Sequence, residues 1–146
     1  MYVTIAIVLC LQGGNEFHGI STDDYFSLSY ISSCAISPNG SYTAWTEGRW
    51  DEELDRRNTD IWITKTEGGP SIRLTFDEAY DGSLQWAADE DWLYFSSRRG
   101  SRGDDLPRNG KKQIWRIHPD GTHLMAVTRL STGVVDWTIA ADGDLI

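Results

Sequence analysis

From residue 33 onward the chain reads as short runs rich in aromatic and β-branched residues, each bounded by a polar turn. Such runs favour strands. Four fall in the first stretch: Ser33–Ser37, Tyr42–Thr46, Asp60–Thr64 and Ser71–Thr75. Four more follow: Ser83–Ala87, Trp92–Ser96, Gln113–Ile117 and Leu124–Thr128. Asn39-Gly40 has the chemistry of a tight hairpin turn. Glu67-Gly68-Gly69-Pro70 and Pro119-Asp120-Gly121 punctuate the third and fourth runs of each set.

The runs repeat in order. Ile36-Ser37-Pro38-Asn39-Gly40-Ser41-Tyr42 aligns with Trp86-Ala87-Ala88-Asp89-Glu90-Asp91-Trp92 and with Ile139-Ala140-Ala141-Asp142-Gly143-Asp144-Leu145, at spacings of 50 and 53 residues. Asp60-Ile61-Trp62-Ile63 returns as Gln113-Ile114-Trp115-Arg116, and Leu74-Thr75-Phe76 as Val127-Thr128-Arg129, both 53 residues on. Four antiparallel strands in a period of about 50 residues describe one blade of a β-propeller. The expected fold is therefore all-β, a partial propeller of about two and a half four-stranded blades.

On this reading residues 1–19 are an apolar start, 20–32 a leader, 33–76 blade 1, 77–129 blade 2, and 130–146 the start of blade 3. The sequence stops at Ile146 within the second strand of that third repeat. An open ring leaves strand edges unpaired, so a truncated and marginally stable propeller is expected.

Composition narrows the function classes. Hydrophobic residues make up 40% and charged residues 24%, which suits a globular chain. A net charge of −9 argues against nucleic acid and against anionic membrane surfaces, both of which call for clustered Lys and Arg. The apolar run Met1–Leu11 is too short to span a bilayer. Its length suits a secretory signal, although no Lys or Arg precedes Arg49. A secreted or periplasmic location is expected, with a cytoplasmic one as the alternative. Cys10 and Cys34 are the only cysteines and define no disulfide framework.

Asp81-Gly82-Ser83-Leu84-Gln85-Trp86-Ala87-Ala88-Asp89-Glu90-Asp91-Trp92-Leu93-Tyr94-Phe95-Ser96-Ser97 resembles the WD40-like repeat of TolB-type propellers. Ile36-Ser37-Pro38-Asn39-Gly40 is the closer match to the turn of that repeat, and Leu74-Thr75 to the Leu-Thr that precedes it. Ser21-Thr22-Asp23-Asp24-Tyr25-Phe26-Ser27-Leu28, running into Ala35-Ile36-Ser37-Pro38, resembles the start of the prolyl oligopeptidase (S9) serine peptidases. That resemblance implies an N-terminal propeller that gates or orients peptide substrates for a C-terminal α/β-hydrolase domain. The implied partners are that missing domain and a peptide. A TolB-like periplasmic protein-binding propeller is the alternative. In the second repeat Pro gives way to Ala88 and Gly to Glu90, so a different turn type is expected there.

No catalytic residue of the family maps onto this sequence. The Gly-x-Ser-x-Gly elbow of such hydrolases is missing. His18, His118 and His123 have no nucleophile and carboxylate grouped around them and read as exposed structural residues. No zinc spacing or calcium loop is present, so neither a metal nor a cofactor is expected. Glu52 and Glu53 are the candidate substrate-binding residues, because paired carboxylates suit a peptide ammonium group. The plainer reading of that pair is a solvated charged loop.

Two insertions, each between the second and third strands, should emerge on one rim. Residues 47–60 carry Glu47, Asp51, Glu52, Glu53, Asp55 and Asp60 against three Arg, a net of −3. Residues 97–112 carry Arg98, Arg99, Arg102, Arg108, Lys111 and Lys112 against Asp104 and Asp105, a net of +4. Pairing across the blade boundary is expected. Trp45, Trp62, Trp86, Trp92 and Trp115 are expected to pack between blades.

Overall fold

A computed structural model describes residues 19–89, 91–100, 105–140 and 142–146. The apolar start with Cys10 and His18, the turn residues Glu90 and Ala141, and the loop residues Arg102 and Asp104 lie outside the described residues. All eight expected strands form. β1 (Tyr30–Ile36), β2 (Tyr42–Asp51), β3 (Arg56–Lys65) and β4 (Ile72–Arg73) make one sheet in that order. β5 (Asp81–Trp86), β6 (Leu93–Ser97), β7 (Gln113–Ile117) and β8 (Met125–Ala126) make a second, also in order. All neighbours are antiparallel. Within 130–146 the described residues form one isolated bridge, Ile139 with Leu145, rather than a strand pair.

The recurring turn has a local cause. The side chains of Asn39, Asp89 and Asp142 accept the backbone N–H two residues ahead, from Ser41 at 2.7 Å, Asp91 at 3.2 Å and Asp144 at 3.2 Å. Asn and Asp are favoured at such turns because the short side chain replaces a backbone acceptor. Gly40 then supplies a φ of 74° that a residue with a Cβ would resist.

The second landmark is also structural. Thr75 Oγ1 accepts the N–H of Ile61 at 2.9 Å, and Thr128 Oγ1 accepts that of Ile114 at 2.9 Å. Leu74 N donates to Ile61 O at 2.7 Å, and Val127 N donates to Ile114 O at 2.8 Å. The fourth strands are only two residues long, and this hydroxyl continues the ladder where their own pairing stops. The 53-residue recurrence of Leu-Thr and Val-Thr is thus a repeated hydrogen-bonding role.

The two sheets pack face to face. Ala44, Ile61, Ile63 and Leu74 meet Leu84, Leu93, Phe95, Trp115 and Ile117 in one cluster. The reverse face of the second sheet buries Tyr94 and Ile114 with Ala87 and Trp137. All of β6 is consequently buried. Trp86 donates from Nε1 to Ala35 O at 3.2 Å, tying the two inner strands. Trp86, Trp92 and Trp115 lie in or against these clusters, as expected of residues between blades. Trp45 and Trp62, register partners in the first sheet, are half-buried and belong to neither.

The first insertion differs from expectation. Residues 47–60 are no loop: β2 and β3 continue as a paired ribbon from Glu47 opposite Asp60 to Asp51 opposite Arg56. The chain reverses at the tip, where Asp51 Oδ1 accepts the N–H of Leu54 at 3.1 Å. A short helix, α1 (Thr22–Ser27), precedes β1 and is closed by a capping box between Ser21 and Asp24. Phe26 packs on Trp50 at 4.9 Å, and Arg57 lies 5.3 Å from the rings of both Tyr25 and Tyr30. A Cβ at Gly48 would strike the Tyr30 ring, so glycine lets the leader close on the ribbon.

Thr75→Val and Thr128→Val keep the shape but leave a strand N–H without its acceptor. Each should lower unfolding free energy by about 1–3 kcal/mol, while Thr→Ser at the same positions stays near wild type. Urea denaturation of the variants checks this. A loss within a few tenths of a kcal/mol (about the noise of such a measurement) would show that water replaces the hydroxyl.

Candidate functional site

A charged concavity lies where the connection from β4 to β5 meets the connection from β6 to β7. It encloses about 660 Å³ and is lined by Arg56, Asp77, Glu78, Arg98, Arg99 and Arg108, among others. Arg56 is the first residue of β3, and Arg98 and Arg99 directly follow β6. The two insertions therefore do share one rim.

Arg99 is the anchor. Its side chain is 1% exposed and Asp81, the first residue of β5, is 0% exposed. Arg99 Nη2 lies 3.0 Å from Asp81 Oδ2, and Nη1 forms an ion pair with Asp77. The guanidinium also stands 5.1 Å from the Trp115 ring and 5.7 Å from that of Phe95. Arg108 reaches the same Trp115 ring at 5.6 Å and stands 4.0 Å from Asp77. Planar guanidinium groups suit this combination of aromatic faces and carboxylates.

Burial pushes the Asp81 carboxyl up to about 7, and the charge of Asp60 adds to the rise. Burial likewise pulls the Arg99 guanidinium down to about 10, with Arg108 acting in the same sense and Asp60 against it. Desolvation is the largest cause for both groups, and for a buried pair that cost is large. Asp60 is raised too by burial, against the hydrogen bond from Arg73 at 2.7 Å.

The expected cross-boundary pairing takes another form. Among the described residues, the ion pairs of the basic loop run to Asp77 and Asp81, between the sheets, rather than to Glu52 or Glu53. The reason is geometric: the hairpin carries Glu52 and Glu53 to its exposed tip, while Arg56 turns into the cavity. Glu52 lines a separate hollow with Asp23, Phe26, Ser27, Trp50 and Asp55. An exposed tip fits the solvated reading of the pair.

The opposite rim holds a cavity of about 700 Å³ lined by Tyr42, Ile63, Ile72, Asp91 and His118 with the neighbouring turns. His118 stacks on Trp92 at 4.0 Å and lies 4.7 Å from His123. His118 is thus half-buried rather than exposed, because Trp92 covers one face of its ring. Among the described residues no cluster of His, Cys, Asp and Glu could hold a metal ion. No described helix is long and apolar enough to cross a membrane.

Asp81, Arg99 and Asp77 were not separable in sequence as a site. Asp81 reads as part of the repeat, Arg99 as one base among six in a loop, and Asp77 as a linker charge. The available signal was the Arg98-Arg99 pair placed immediately after the strand Leu93-Tyr94-Phe95-Ser96-Ser97.

No known protein-family model matches the chain. The uncharacterized peptidase YuxL of Bacillus subtilis is 25% identical over 130 residues, covering 78% of this chain and 20% of that protein. The uncharacterized protein Atu1656 of Agrobacterium fabrum is 31% identical over 78 residues, covering 53% of this chain and 23% of that protein. The chain thus spans about a fifth of the length of these curated relatives. Among solved structures, the acylaminoacyl peptidase of Pyrococcus horikoshii superposes with a TM-score of 0.60 at 14% identity, over 82% of this chain and 17% of that one. A putative TolB from Agrobacterium tumefaciens superposes with a TM-score of 0.50 at 21% identity, over 82% of this chain and 49% of that one. The two structural likenesses establish the fold. Together with the relative named as a peptidase, they support the resemblance read from the repeats, a stretch of an S9-type or TolB-like propeller.

The buried pair sets a pH dependence. In the unfolded chain Asp81 ionises near 3.8, whereas in the fold it stays protonated until about 7. Between those values the folded chain binds the extra proton. The contribution of this group is full below the lower value and falls as pH rises to the upper one. Asp81→Asn should flatten that part of the curve of unfolding midpoint against pH, measured by circular dichroism. An unchanged slope in the variant would show Asp81 already ionised at low pH by Arg99.

Proposed function

We propose that this chain is part of the substrate-handling propeller of an S9-type serine oligopeptidase, gating or orienting peptides for an α/β-hydrolase domain of the full-length protein. The observation that carries the reading is the match, over most of the chain, to a relative named as a peptidase. The superposition on an acylaminoacyl peptidase supports it at the level of fold. Among the described residues, the sheets hold no nucleophile, base and acid in register. On this reading chemistry belongs to another domain, and the rim supplies selection.

The proposed work of the rim is geometric. A ring of blades presents connections on its two ends, and binding residues concentrate on such connections because rigid strands fix them. The arginine-lined cavity is the part of this chain best built for that task, with Glu52 and Glu53 as the alternative contact for a peptide amino terminus. The proposed setting is secreted or periplasmic, in line with the apolar start Met1–Leu11.

A second reading is a TolB-like propeller that binds protein partners and has no hydrolase. It is favoured by the superposition on a putative TolB, of which the chain covers about half. A fluorophosphonate probe separates the two. The native full-length protein should be labelled on one serine outside this stretch, within Gly-x-Ser-x-Gly. A full-length protein that stays unlabelled, with no such elbow in the gene downstream of the codon for Ile146, would make the binding propeller the correct reading.

A further inference from the structure

Four arginines converge on one cavity in a chain whose net charge is −9. They come from two different sheets: Arg56 opens β3, Arg98 and Arg99 follow β6, and Arg108 precedes β7. Among the described residues, two lining carboxylates, Asp77 and Glu78, face them, which leaves that lining cationic. Arg56 is anchored by donating from Nη2 to Glu78 O at 2.8 Å, so it meets a carbonyl rather than a second charge. Arg99 Nε is buried and has no hydrogen-bond partner among the described residues. That N–H is shut off from solvent, so the guanidinium groups open to a ligand are those of Arg98 and Arg108, both exposed.

We infer that this cavity binds a peptide carboxylate, either the chain terminus or an acidic side chain. Guanidinium forks match a planar carboxylate with two parallel hydrogen bonds. A carboxylate carries one charge, which the excess of the lining can neutralise. A phosphate dianion would also face Asp77 and Glu78 and would be repelled more strongly. The volume of about 660 Å³ suits the end of a short peptide rather than a lone ion. Arg99 serves as the fixed floor, held by Asp81 and Asp77, while the exposed Arg98 and Arg108 line the same cavity. This inference rests on the peptide-handling reading above and names the chemical group recognised.

The test titrates the native full-length protein by calorimetry at low salt with four probes: N-acetyl-trialanine as the free acid, the same peptide as its amide, an amide with a central glutamate, and inorganic phosphate. The free acid, the glutamate peptide or both should bind, and the plain amide should not. Which of the two binds separates a chain end from a side chain. Arg98→Gln with Arg108→Gln leaves the buried pair with Asp81 intact. It should weaken binding about tenfold or more, the scale of one charge-assisted hydrogen bond.

Equal binding of the acid and the plain amide would overturn the carboxylate site yet leave peptide handling standing. Tighter binding of phosphate than of either acid, unchanged binding by the double variant, or no binding of any probe would each overturn the inference. None of these results bears on whether a hydrolase is present, which the fluorophosphonate experiment decides separately.

Discussion

Phe95 and Trp115 lie against the first sheet, while Tyr94 and Ile114, one residue along each strand, lie against Trp137. A four-stranded sheet has two faces, and here both are covered. That double burial governs the rest. It removes the usual alternation of apolar and polar residues from β6 and leaves five consecutive buried positions. It also makes each sheet depend on its neighbours for the apolar burial that drives folding.

The first sheet shows the same rule from the other side. Trp45 and Trp62 occupy the places that Phe95 and Trp115 hold in the second sheet, in the same cross-strand register. In the second sheet those places are buried. In the first they are half-buried, with Arg49 lying 5.6 Å from the Trp62 ring. A ring of such sheets requires a further sheet on that face. The repeat therefore records docking geometry in the identity of two residues, and it does so even where no partner sheet lies among the described residues.

Much of this was legible in the sequence because the physics is local or periodic. Asn39, Asp89 and Asp142 announce turns that their own side chains close, and Thr75 and Thr128 sit where a two-residue strand needs one more acceptor. The helix at Thr22–Ser27 went unread, since six residues give too few turns for a periodic signal. The extent of β2 and β3 was also hidden. The charges from Glu47 to Asp60 suggest a solvated loop, yet a paired ribbon tolerates charge on its exposed residues. The site was least visible, because Asp81 and Arg99 are distant in sequence and meet only when β5 and β6 pair.

That meeting explains why the rim differs from the strands beneath it. Arg99 and Asp81 lie so far from water that burial drives both toward neutrality, and desolvation of a buried pair can exceed its mutual attraction. Apolar residues of similar volume would often serve stability as well or better. What they could not do is fix a guanidinium plane against Trp115 and hold Asp77 beside Arg108. A buried pair of this kind orients charge at the opening of a cavity. The strands are built from landmarks that repeat every 50 to 53 residues, and even Arg99 over Trp115 repeats Arg49 over Trp62, whereas Arg98 stands where the first repeat has Gly48. Repetition supplies the scaffold, and the departures from it supply what could distinguish one ligand from another.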